Sequence, residues 1–391
     1  MKRRPVKPDV YRQRFTVPFE YPVWFARDVF RADNPLFESA LSRLGEKRRH
    51  RALVYVDSGV AAAHPALVQR IKDYFHARLD SLELAGAPEL IPGGEAAKAS
   101  WDRVKDVMWS VGNHHLDRQS FVVAVGGGGV LDMIGFAASL VHRGLRLVRL
   151  PTTVLAQCDA GIGVKNAMDE HGAKNYVGTF APPFAVINDF SFLATLEDTH
   201  WTGGAAEAFK VALIKDAAFF RWLERHASAL KRRDQDAMET LVRRTAELHL
   251  EHIRTSGDPF EFGAARPLDF GHWAAHRLES MSGYGINHGQ AVAIGIALDS
   301  CYACREKLIT PKELDRILAA MRATGLMTWH PLLEERNADG LLLVLAGLEQ
   351  FREHLGGTLT VTLPKGIGRK VEVHQVFEDV VEEAIVKLRD R

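Results

Sequence analysis

The chain has 391 residues, a length that allows two domains with substantial cores. Its 50 basic and 49 acidic side chains nearly cancel, which argues against a surface for nucleic acid or for an anionic membrane. No run of 18 apolar residues occurs, so no transmembrane helix is expected, and the basic start MKRRPVKPDVYRQR lacks the apolar stretch of a signal peptide. Three cysteines fit a reducing compartment, and we expect a cytoplasmic protein.

The first 190 residues alternate between strand-like and helix-like patterns. Two strand-like runs, FTVPFEYPVWFA and ALVYVDSGV, precede residue 60, and a helical pattern covers residues 62–82. A strand, a Pro-Gly turn and a helix with Glu95 and Lys98 near its start come next. This alternation predicts an α/β domain with a largely parallel sheet. Asp57 ends the second run, where a carboxylate could accept hydrogen bonds from a ribose or only close a turn.

A glycine-rich turn follows the next apolar run. Phe121 to Val125 predicts a buried strand, Gly126 to Gly129 follow at once, and an apolar helical pattern opens at Asp132. Backbone N–H groups and the helix dipole make such a turn an anion site. The spacing fits neither the Rossmann fingerprint nor a P-loop, and a simple tight connection would look the same. The loop-rich stretch that follows carries side chains typical of a functional loop: Asp159, Lys165, Lys174 and Asn175.

After residue 189 the pattern becomes mostly helical. The segment AAEAFKVALIKDAAFFRWLERHA predicts one long helix, on which Glu207 and Lys210 share a face. Near the C-terminus, GTLTVTLPKGIGRKVEVH predicts a hairpin with Lys365 in its turn. We therefore divide the chain into an α/β domain over residues 1–195 and a helical domain over residues 196–391.

Three predicted helices carry side chains that could bind a metal ion. Glu207, His272 and His288 lie on different helices, and one carboxylate with two imidazoles would leave an open position, as in a catalytic Zn²⁺ site. Spacing does not establish that the helices converge, because a lone histidine on a helix is more often structural. His249 and His252 are assigned to an exposed helix face on the same grounds.

Several donors near glycine turns suit a multiply charged anion such as a phosphate. Any one of them alone could equally be a solvated surface residue. The candidates are Arg143, Lys165, Lys174, Asn175, His276 and Lys365.

Several motifs occur in the order and spacing of a known family. They are GGGGVLDMIGFAA, HRG at 142–144, PTTVLAQCDAGIG, KN at 174–175, AExxK at 206–210, GHxxxH at 271–276 and HGxAVAIG at 288–295. On these motifs the chain resembles 3-dehydroquinate synthase and the wider sugar phosphate cyclases over about residues 50–310. The resemblance implies an α/β domain that binds NAD, an all-α C-terminal domain that binds Zn²⁺ or Co²⁺, an active site between them, and usually a homodimer.

Enzymes of this family use NAD catalytically. A heptulose phosphate is oxidised at one hydroxyl, loses its phosphate by β-elimination, is reduced again, opens, and closes by an intramolecular aldol step. Oxidation to a ketone acidifies the neighbouring C–H bond, which makes the loss of phosphate feasible. The resemblance therefore implies an NAD- and metal-dependent carbon–oxygen lyase that acts on a small sugar phosphate.

The resemblance also implies roles for individual residues. The metal ligands would be Glu207, His272 and His288, and the ion would acidify the hydroxyl that loses hydride. The substrate and phosphate positions are Lys165, Asn175, Asp269, His276 and Lys365, with Arg143 reaching the active site of a partner subunit. The catalytic positions are Asp159, Lys165, Lys210, Glu261 and His276. The cofactor positions are Asp57, Glu95, Lys98, Gly127, Gly128, Asp132, Thr152, Thr153, Lys174, Thr195 and Leu196.

Departures from the family pattern bear on the substrate. In 3-dehydroquinate synthases a Lys and an Arg hold the substrate carboxylate, whereas Glu251 and Ala265 fall at those positions here. We expect Glu251 to be an unpaired buried carboxylate that disfavours such a substrate. Asp269 replaces an Asn, as in similar cyclases of the 2-epi-5-epi-valiolone synthase type, whose substrate sedoheptulose 7-phosphate has no carboxylate. Sedoheptulose 7-phosphate is therefore the expected substrate. Two further departures are Gln290 in place of Glu, and GVKNAMD in place of GGKTGIN.

Other functions remain open at this point. One is 3-dehydroquinate synthesis, with Arg266 and Arg277 replacing the missing cations. Another is the activity of the iron-dependent alcohol and glycerol dehydrogenases, which share the glycine turn and the helical metal domain but release NADH. The set of phosphate ligands argues against a simple alcohol substrate. The complete metal triad and Lys165 argue against a catalytically inactive binding module.

Overall fold

The computed structural model describes residues 10–171, 173–256, 258–260, 267–354 and 357–390. Its strands are β1 (Val23–Ala26), β2 (His50–Asp57), β3 (Leu82–Leu84), β4 (Glu89–Ile91), β5 (Phe121–Gly126), β6 (Arg146–Pro151), β7 (Lys165–Glu170), β8 (Ala173–Phe180), β9 (Ala185–Asp189), β10 (Val361–Pro364) and β11 (Lys370–Val373). Seven of them form one parallel sheet in the order β1-β9-β6-β5-β2-β3, with β4 also paired to β2. The predicted parallel α/β sheet is confirmed.

The central strands are buried on both faces, as their apolar runs require. Along β2, Val54 and Val56 face one core, while Leu53 and Tyr55 face the other. Helices cover both faces, because each core needs an amphipathic partner. The helices of this half are α1 (Leu36–Leu41), α2 (Ser58–Ala63), α3 (Leu67–His76), α4 (Trp101–Asn113), α5 (Gly128–Leu140) and α6 (Val154–Cys158).

Two local expectations in this half are wrong. Glu95 and Lys98 lie in a separate 3-10 turn, Glu95–Ala99, because extended Ser100 stops that turn before α4 begins. The stretch read as loop-rich after Asp159 forms the antiparallel hairpin β7–β8 outside the main sheet.

The C-terminal half is largely helical. Its helices are α7 (Asp198–Gly203), α8 (Ala205–Lys215), α9 (Ala217–Lys231), α10 (Gln235–Thr255), α11 (His272–Met281), α12 (His288–Arg305), α13 (Pro311–Thr324), α14 (Ala346–His354) and α15 (Glu378–Arg389). One large apolar core joins them. The antiparallel pair β10–β11 confirms the predicted hairpin, with Lys365 directly after β10. The division at residue 195 stays a prediction.

The single long helix predicted from Ala205 is wrong. Asp216 adopts an extended conformation between α8 and α9, and its carboxylate accepts hydrogen bonds from the Ala218 and Phe219 N–H groups at 2.9 and 3.0 Å. An aspartate that caps a helix in this way starts a new one. Among the described residues, no helix is long and apolar enough to cross a bilayer.

Candidate functional site

The three predicted metal ligands converge. One ligand atom from each of Glu207, His272 and His288 lies within 4.8 Å of the others. Glu207 is on α8, while the two histidines are the first residues of α11 and α12. One carboxylate and two imidazoles form a donor set used by catalytic Zn²⁺, with a fourth position left for water or substrate.

A close crossing of α11 and α12 fixes the start of α11. Gly271 has a φ of 80°, which favours glycine, and a Cβ on Gly295 would lie 1.9 Å from the carbonyl oxygen of Gly271. The buried carboxylate of Asp299 accepts hydrogen bonds from the Gly271 N–H at 3.0 Å and from the Trp273 indole N–H at 2.8 Å. These contacts hold the turn from which His272 projects.

The environment of Glu207 fits a metal ligand. Its side chain is 1% exposed, which places the carboxylate away from solvent. The Lys210 ammonium lies against the carboxylate as an ion pair, and His272 Nε2 lies 3.9 Å from Oε1. Burial raises the pKa of Glu207, because its charge is incompletely compensated. A divalent cation would supply the missing charge and the missing ligand contacts.

A second carboxylate, Glu279, holds the imidazole of His288. Its oxygens accept hydrogen bonds from His288 Nδ1 at 3.1 Å and from Lys174 Nζ at 2.6 Å. Burial opposes ionisation of Glu279, but His288 and Lys174 lower its pKa. With Nδ1 engaged, Nε2 of His288 is left for a metal ion, as is usual for metal-binding histidines. Sequence reasoning missed Glu279, although it lies three residues after His276 on one helix face.

Asp159 lies beside Lys210, the ion-pair partner of Glu207, and is bound by a histidine that was expected to be exposed. Its carboxylate oxygens lie 3.9 Å from Lys210 Nζ and 2.6 Å from His249 Nδ1. Burial opposes ionisation, but Lys210 and His249 hold the pKa of Asp159 well below its usual range. The assignment of His249 to an exposed face is wrong, because α10 packs on α6 at this point and leaves the ring only 14% exposed.

The expectation that Glu251 is an unpaired, buried carboxylate is also wrong. Its side chain is 52% exposed, and its oxygens accept hydrogen bonds from the Arg254 guanidinium at 2.8 to 3.0 Å. Glu251 is therefore neither buried nor unpaired. His252, the next residue on α10, is partly buried instead of exposed. Burial and the nearby Lys215 lower the pKa of His252 to about 4, which leaves its ring neutral at neutral pH.

The carboxyl ends of β2, β5 and β6 form the edge at which a nucleotide is expected. Gly127 is the N-cap of α5 and Gly128 its first residue, so α5 offers backbone N–H groups there. Asp57 ends β2, and Thr153 caps α6 by accepting a hydrogen bond from a backbone N–H at 3.1 Å. The Thr152 hydroxyl is buried without a hydrogen-bond partner among the described residues. Ligands of open parallel sheets bind at such an edge.

Four of the predicted cofactor and phosphate residues are paired with one another. Lys98 Nζ lies 3.3 Å from Asp132, 3.7 Å from Glu95 and 3.8 Å from Asp169, and it donates a hydrogen bond to the Asn175 amide oxygen. Burial of Lys98 opposes its charge, but the three carboxylates raise its pKa. In this cluster three carboxylates share one ammonium group, and the contacts lie within the protein.

Other predicted residues lie around the metal ligands. The His276 ring centroid is 5.5 Å from that of His272 and 5.9 Å from that of His288. Asp269 lies in the 3-10 turn Pro267–Asp269, close enough for its charge to raise the pKa of Lys210. Glu261, Ala265 and Arg266 lie outside the described residues.

The remaining predicted residues are peripheral in the described chain. Lys165, at the start of β7, and Lys365 are exposed. Arg143 is also exposed, in the 3-10 turn Val141–Arg143 after α5. Thr195 pairs through its hydroxyl with His64 Nε2 at 2.8 Å, and Leu196 follows it. Lys174 is held by Glu279, so its predicted cofactor contact competes with an existing ion pair.

The unusual segment GVKNAMD has a physical explanation. The guanidinium of Arg149 is fully buried and donates hydrogen bonds to the Asn166 side-chain oxygen at 2.6 Å and to the backbone oxygens of Gly163 and Lys165. Asp169 accepts a hydrogen bond from the Asn175 N–H at 2.8 Å. Asn166 and Asp169 thus hold the loop and the hairpin that carry two of the predicted phosphate ligands. Nothing in the structure explains Gln290.

Comparisons with known proteins agree with these observations. The N-terminal model of 3-dehydroquinate synthase matches residues 89–203, and the C-terminal model matches residues 204–346. A 2-epi-valiolone synthase from Actinosynnema mirum is 34% identical over 380 residues, which cover 95% of this chain and 92% of that protein. A 3-dehydroquinate synthase from Acidithiobacillus ferrooxidans is 33% identical over 357 residues, 91% and 92% of the two chains.

A solved structure is similar over the whole chain. It is ValA, a 2-epi-5-epi-valiolone synthase from Streptomyces hygroscopicus subsp. jinggangensis 5008, with NAD⁺ and Zn²⁺ bound. The TM-score is 0.85 and the sequence identity 32%, covering 97% of this chain and 99% of that one.

Proposed function

Because this chain belongs to the 3-dehydroquinate synthase family of sugar phosphate cyclases, we propose that it cyclises a heptulose 7-phosphate without a carboxylate, namely sedoheptulose 7-phosphate. The product would be a valiolone-type cyclitol. Relatives named as valiolone synthases support this substrate, and relatives named as 3-dehydroquinate synthases make the carboxylate-bearing substrate the first alternative.

The observation that carries the proposal is the side of the site built by α10. Glu251 and Ala265 occupy the positions where 3-dehydroquinate synthases place two cations for the carboxylate. Toward Asp159, α10 presents His249, and His252 beside it is neutral at neutral pH. Hydroxyl groups find hydrogen-bond partners in such a setting, whereas a carboxylate would lack the paired cations that offset its desolvation.

A cluster of cations suits the phosphate end of the substrate. The charges of Lys215 and Lys165 both lower the pKa of His252, so each of these ammonium groups acts on the surroundings of that ring. His276 is held neutral by burial, which lowers its pKa to about 3, and a neutral ring can donate one N–H to a phosphate oxygen. The proposed phosphate ligands are Lys165, Asn175, His276 and Lys365.

Glu207, His272 and His288 would hold a Zn²⁺ or Co²⁺, while Gly127 and Gly128 would receive the NAD pyrophosphate at the start of α5. When bound, NAD supplies a reversible hydride acceptor and the metal polarises a substrate hydroxyl.

The chain's own residues prepare the rest of the site. Asp159 stays ionised beside Lys210 and accepts hydrogen bonds from substrate hydroxyls. Lys210 holds both Asp159 and Glu207 in place through its ion pairs. Arg149 keeps the loop between Asp159 and Lys165 in register through its bonds to the loop carbonyls.

We further propose a homodimer in which Arg143 reaches the active site of the partner subunit. Its exposure and its lack of an ion pair among the described residues support this role. Replacing Arg143 with Gln should weaken turnover without changing metal content, and mixing it with a metal-site variant should restore part of the activity.

The test is phosphate release by enzyme loaded with NAD⁺ and Zn²⁺. One sample contains sedoheptulose 7-phosphate and the other contains the 3-deoxy-heptulosonate phosphate of the shikimate pathway. Release from the first sample only is the expected result. Release from the second only would mean that the enzyme is a divergent 3-dehydroquinate synthase.

A companion test separates cyclases from dehydrogenases. Enzyme stripped of its cofactor should regain turnover when NAD⁺ is added, without net accumulation of NADH. Turnover without added NAD⁺ would contradict the cofactor assignment. NADH that accumulates on simple alcohols, with no phosphate release, would move the protein to the dehydrogenase class.

A further inference from the structure

We propose that His249 is a substrate-contacting residue of this site, in which Asp159 fixes the imidazole so that Nε2 forms a hydrogen bond with a substrate hydroxyl. This role rests on the proposed function, since it explains how the site recognises a polyol.

The hydrogen bond between His249 and Asp159 fixes the tautomer. Nδ1 of His249 lies 2.6 Å from the Asp159 carboxylate. An ionised carboxylate can only accept, so Nδ1 must carry the proton. The other nitrogen, Nε2, has no hydrogen-bond partner among the described residues.

The position of the ring places it at the reacting end of the site. Asp159 lies 3.9 Å from Lys210 Nζ, and Lys210 forms the ion pair with the metal ligand Glu207. On the other side, His252 lies one turn further along α10, and the charge of Lys165 is among the causes that lower its pKa. His249 thus lies between the metal ligands and the cations proposed for the phosphate, where the carbon chain of a sugar phosphate would pass.

A hydroxyl group suits the position of Nε2. It can donate a hydrogen bond to an imidazole nitrogen or accept one from it, because a hydroxyl is both donor and acceptor.

A purely structural role is the competing explanation, because the contact also joins α10 to α6. His249→Asn separates the two roles. The amide of Asn can take the place of Nδ1 and keep the hydrogen bond to Asp159, but it has no atom at the position of Nε2. His249→Ala loses both groups. Glu247→Gln is the matched control, because Glu247 lies on the same helix with its side chain 51% exposed.

The experiment measures kcat/KM on sedoheptulose 7-phosphate, the thermal unfolding temperature and the zinc content of each variant. We expect His249→Asn to lower kcat/KM by about tenfold, the value of one lost hydrogen bond, with unfolding temperature and zinc content unchanged. The same assay is run on monodeoxy analogues of the substrate. For the analogue that lacks the contacted hydroxyl, His249→Asn and the wild type should have the same kcat/KM.

Wild-type kcat/KM in His249→Asn, together with a lower unfolding temperature in His249→Ala, would overturn the inference and leave His249 a structural residue. An equal loss of activity on every analogue would overturn it too, since no single hydroxyl would then depend on the ring. If wild-type enzyme turns over only the carboxylate-bearing substrate, the proposed function fails first, and the same variants measured on that substrate still decide whether His249 touches it.

Discussion

The polar clusters around Lys98 and Glu207 differ in how far their groups are satisfied within the protein. We infer that the Lys98 cluster stabilises the fold and that the Glu207 cluster binds a ligand. Around Lys98, three carboxylates and one amide oxygen surround a single ammonium group, so these polar groups contact one another within the protein. Around Glu207, Lys210 pairs with the carboxylate, but ligand atoms of two imidazoles lie within 4.8 Å of it and of each other, as around a metal ion. A complete cluster holds its own elements together, whereas an incomplete one needs a ligand.

The largest expected effect comes from removing the carboxylate of Glu207. Glu207→Ala should lose its bound metal and its turnover, because two neutral imidazoles are a poor site for a divalent cation. The metal-free variant should also unfold at a lower temperature than the metal-free wild type, because the buried ammonium of Lys210 loses its ion-pair partner. Elemental analysis and thermal unfolding check both points. Full metal content in this variant would refute the ligand assignment.

Removing the ammonium group of Lys98 should mainly lower the free energy of unfolding. Lys98→Met leaves three carboxylates without their shared partner, and we expect a loss of about 3–5 kcal/mol in the free energy of unfolding. Urea unfolding of the metal-free protein measures it. Lys105→Met is the control, because its ion pair with Asp102 is largely exposed and should be worth less than about 1 kcal/mol. Equal losses of unfolding free energy in Lys98→Met and Lys105→Met would contradict a stabilising role for the Lys98 cluster.

Glu279 links the two kinds of cluster. It is fully paired, yet one of its partners is His288, a proposed metal ligand. Glu279→Gln should therefore keep the fold and weaken metal affinity by about 10- to 100-fold, because the ring of His288 loses its charged acceptor. Competition with a chelating dye measures the affinity. Unchanged metal affinity would show that Glu279 pairs with Lys174 but does not support metal binding by His288.

The smallest effect concerns Asp299, a buried carboxylate that has only neutral donors. Burial raises its pKa from 3.8 to about 7, although the Trp273 and Gly271 N–H groups oppose this. Between about pH 4 and 7 the folded chain keeps a proton that the unfolded chain has lost. This group therefore makes the free energy of unfolding fall as pH rises through that window, by at most about 1.4 kcal/mol per pH unit.

Asp299→Asn tests this pH dependence. The variant keeps an acceptor for the Trp273 indole N–H but cannot titrate, so its free energy of unfolding should be flatter between pH 4.5 and 6.5. Urea unfolding of both proteins at several pH values gives the two slopes. Identical slopes would mean that Asp299 titrates near its ordinary pKa in the folded protein.

The parts of the site that depend on local pattern were predictable from the sequence. The strand, glycine turn and helix around Gly127 follow from apolar runs and glycine positions alone, and His272 with His276 follows from helical spacing. The convergence of His272 with Glu207 was not predictable in this way. It depends on a close crossing at Gly271 and on other tertiary contacts that spacing does not encode.

The errors on α10 could have been avoided. Leu241 and Thr245 are buried, and His249 continues that stripe four residues later, so helical periodicity places its ring against the protein. Glu251 lies off the stripe and pairs with Arg254 in solvent. The break of the predicted long helix at Asp216 was harder to predict. An aspartate inside an apolar helical pattern caps a new helix only if the backbone is extended there, and the sequence pattern does not show this.

The most direct test of the account is a competition in one tube. Enzyme loaded with NAD⁺ and Zn²⁺ receives sedoheptulose 7-phosphate and the 3-deoxy-heptulosonate phosphate at equal concentration, and NMR follows the two cyclic products. The account predicts that the cyclitol forms first and that the ratio of kcat/KM values exceeds about a hundredfold, since a buried carboxylate without its cations costs several kcal/mol. Preferential formation of 3-dehydroquinate would contradict the substrate assignment, while leaving the metal and cofactor sites as described.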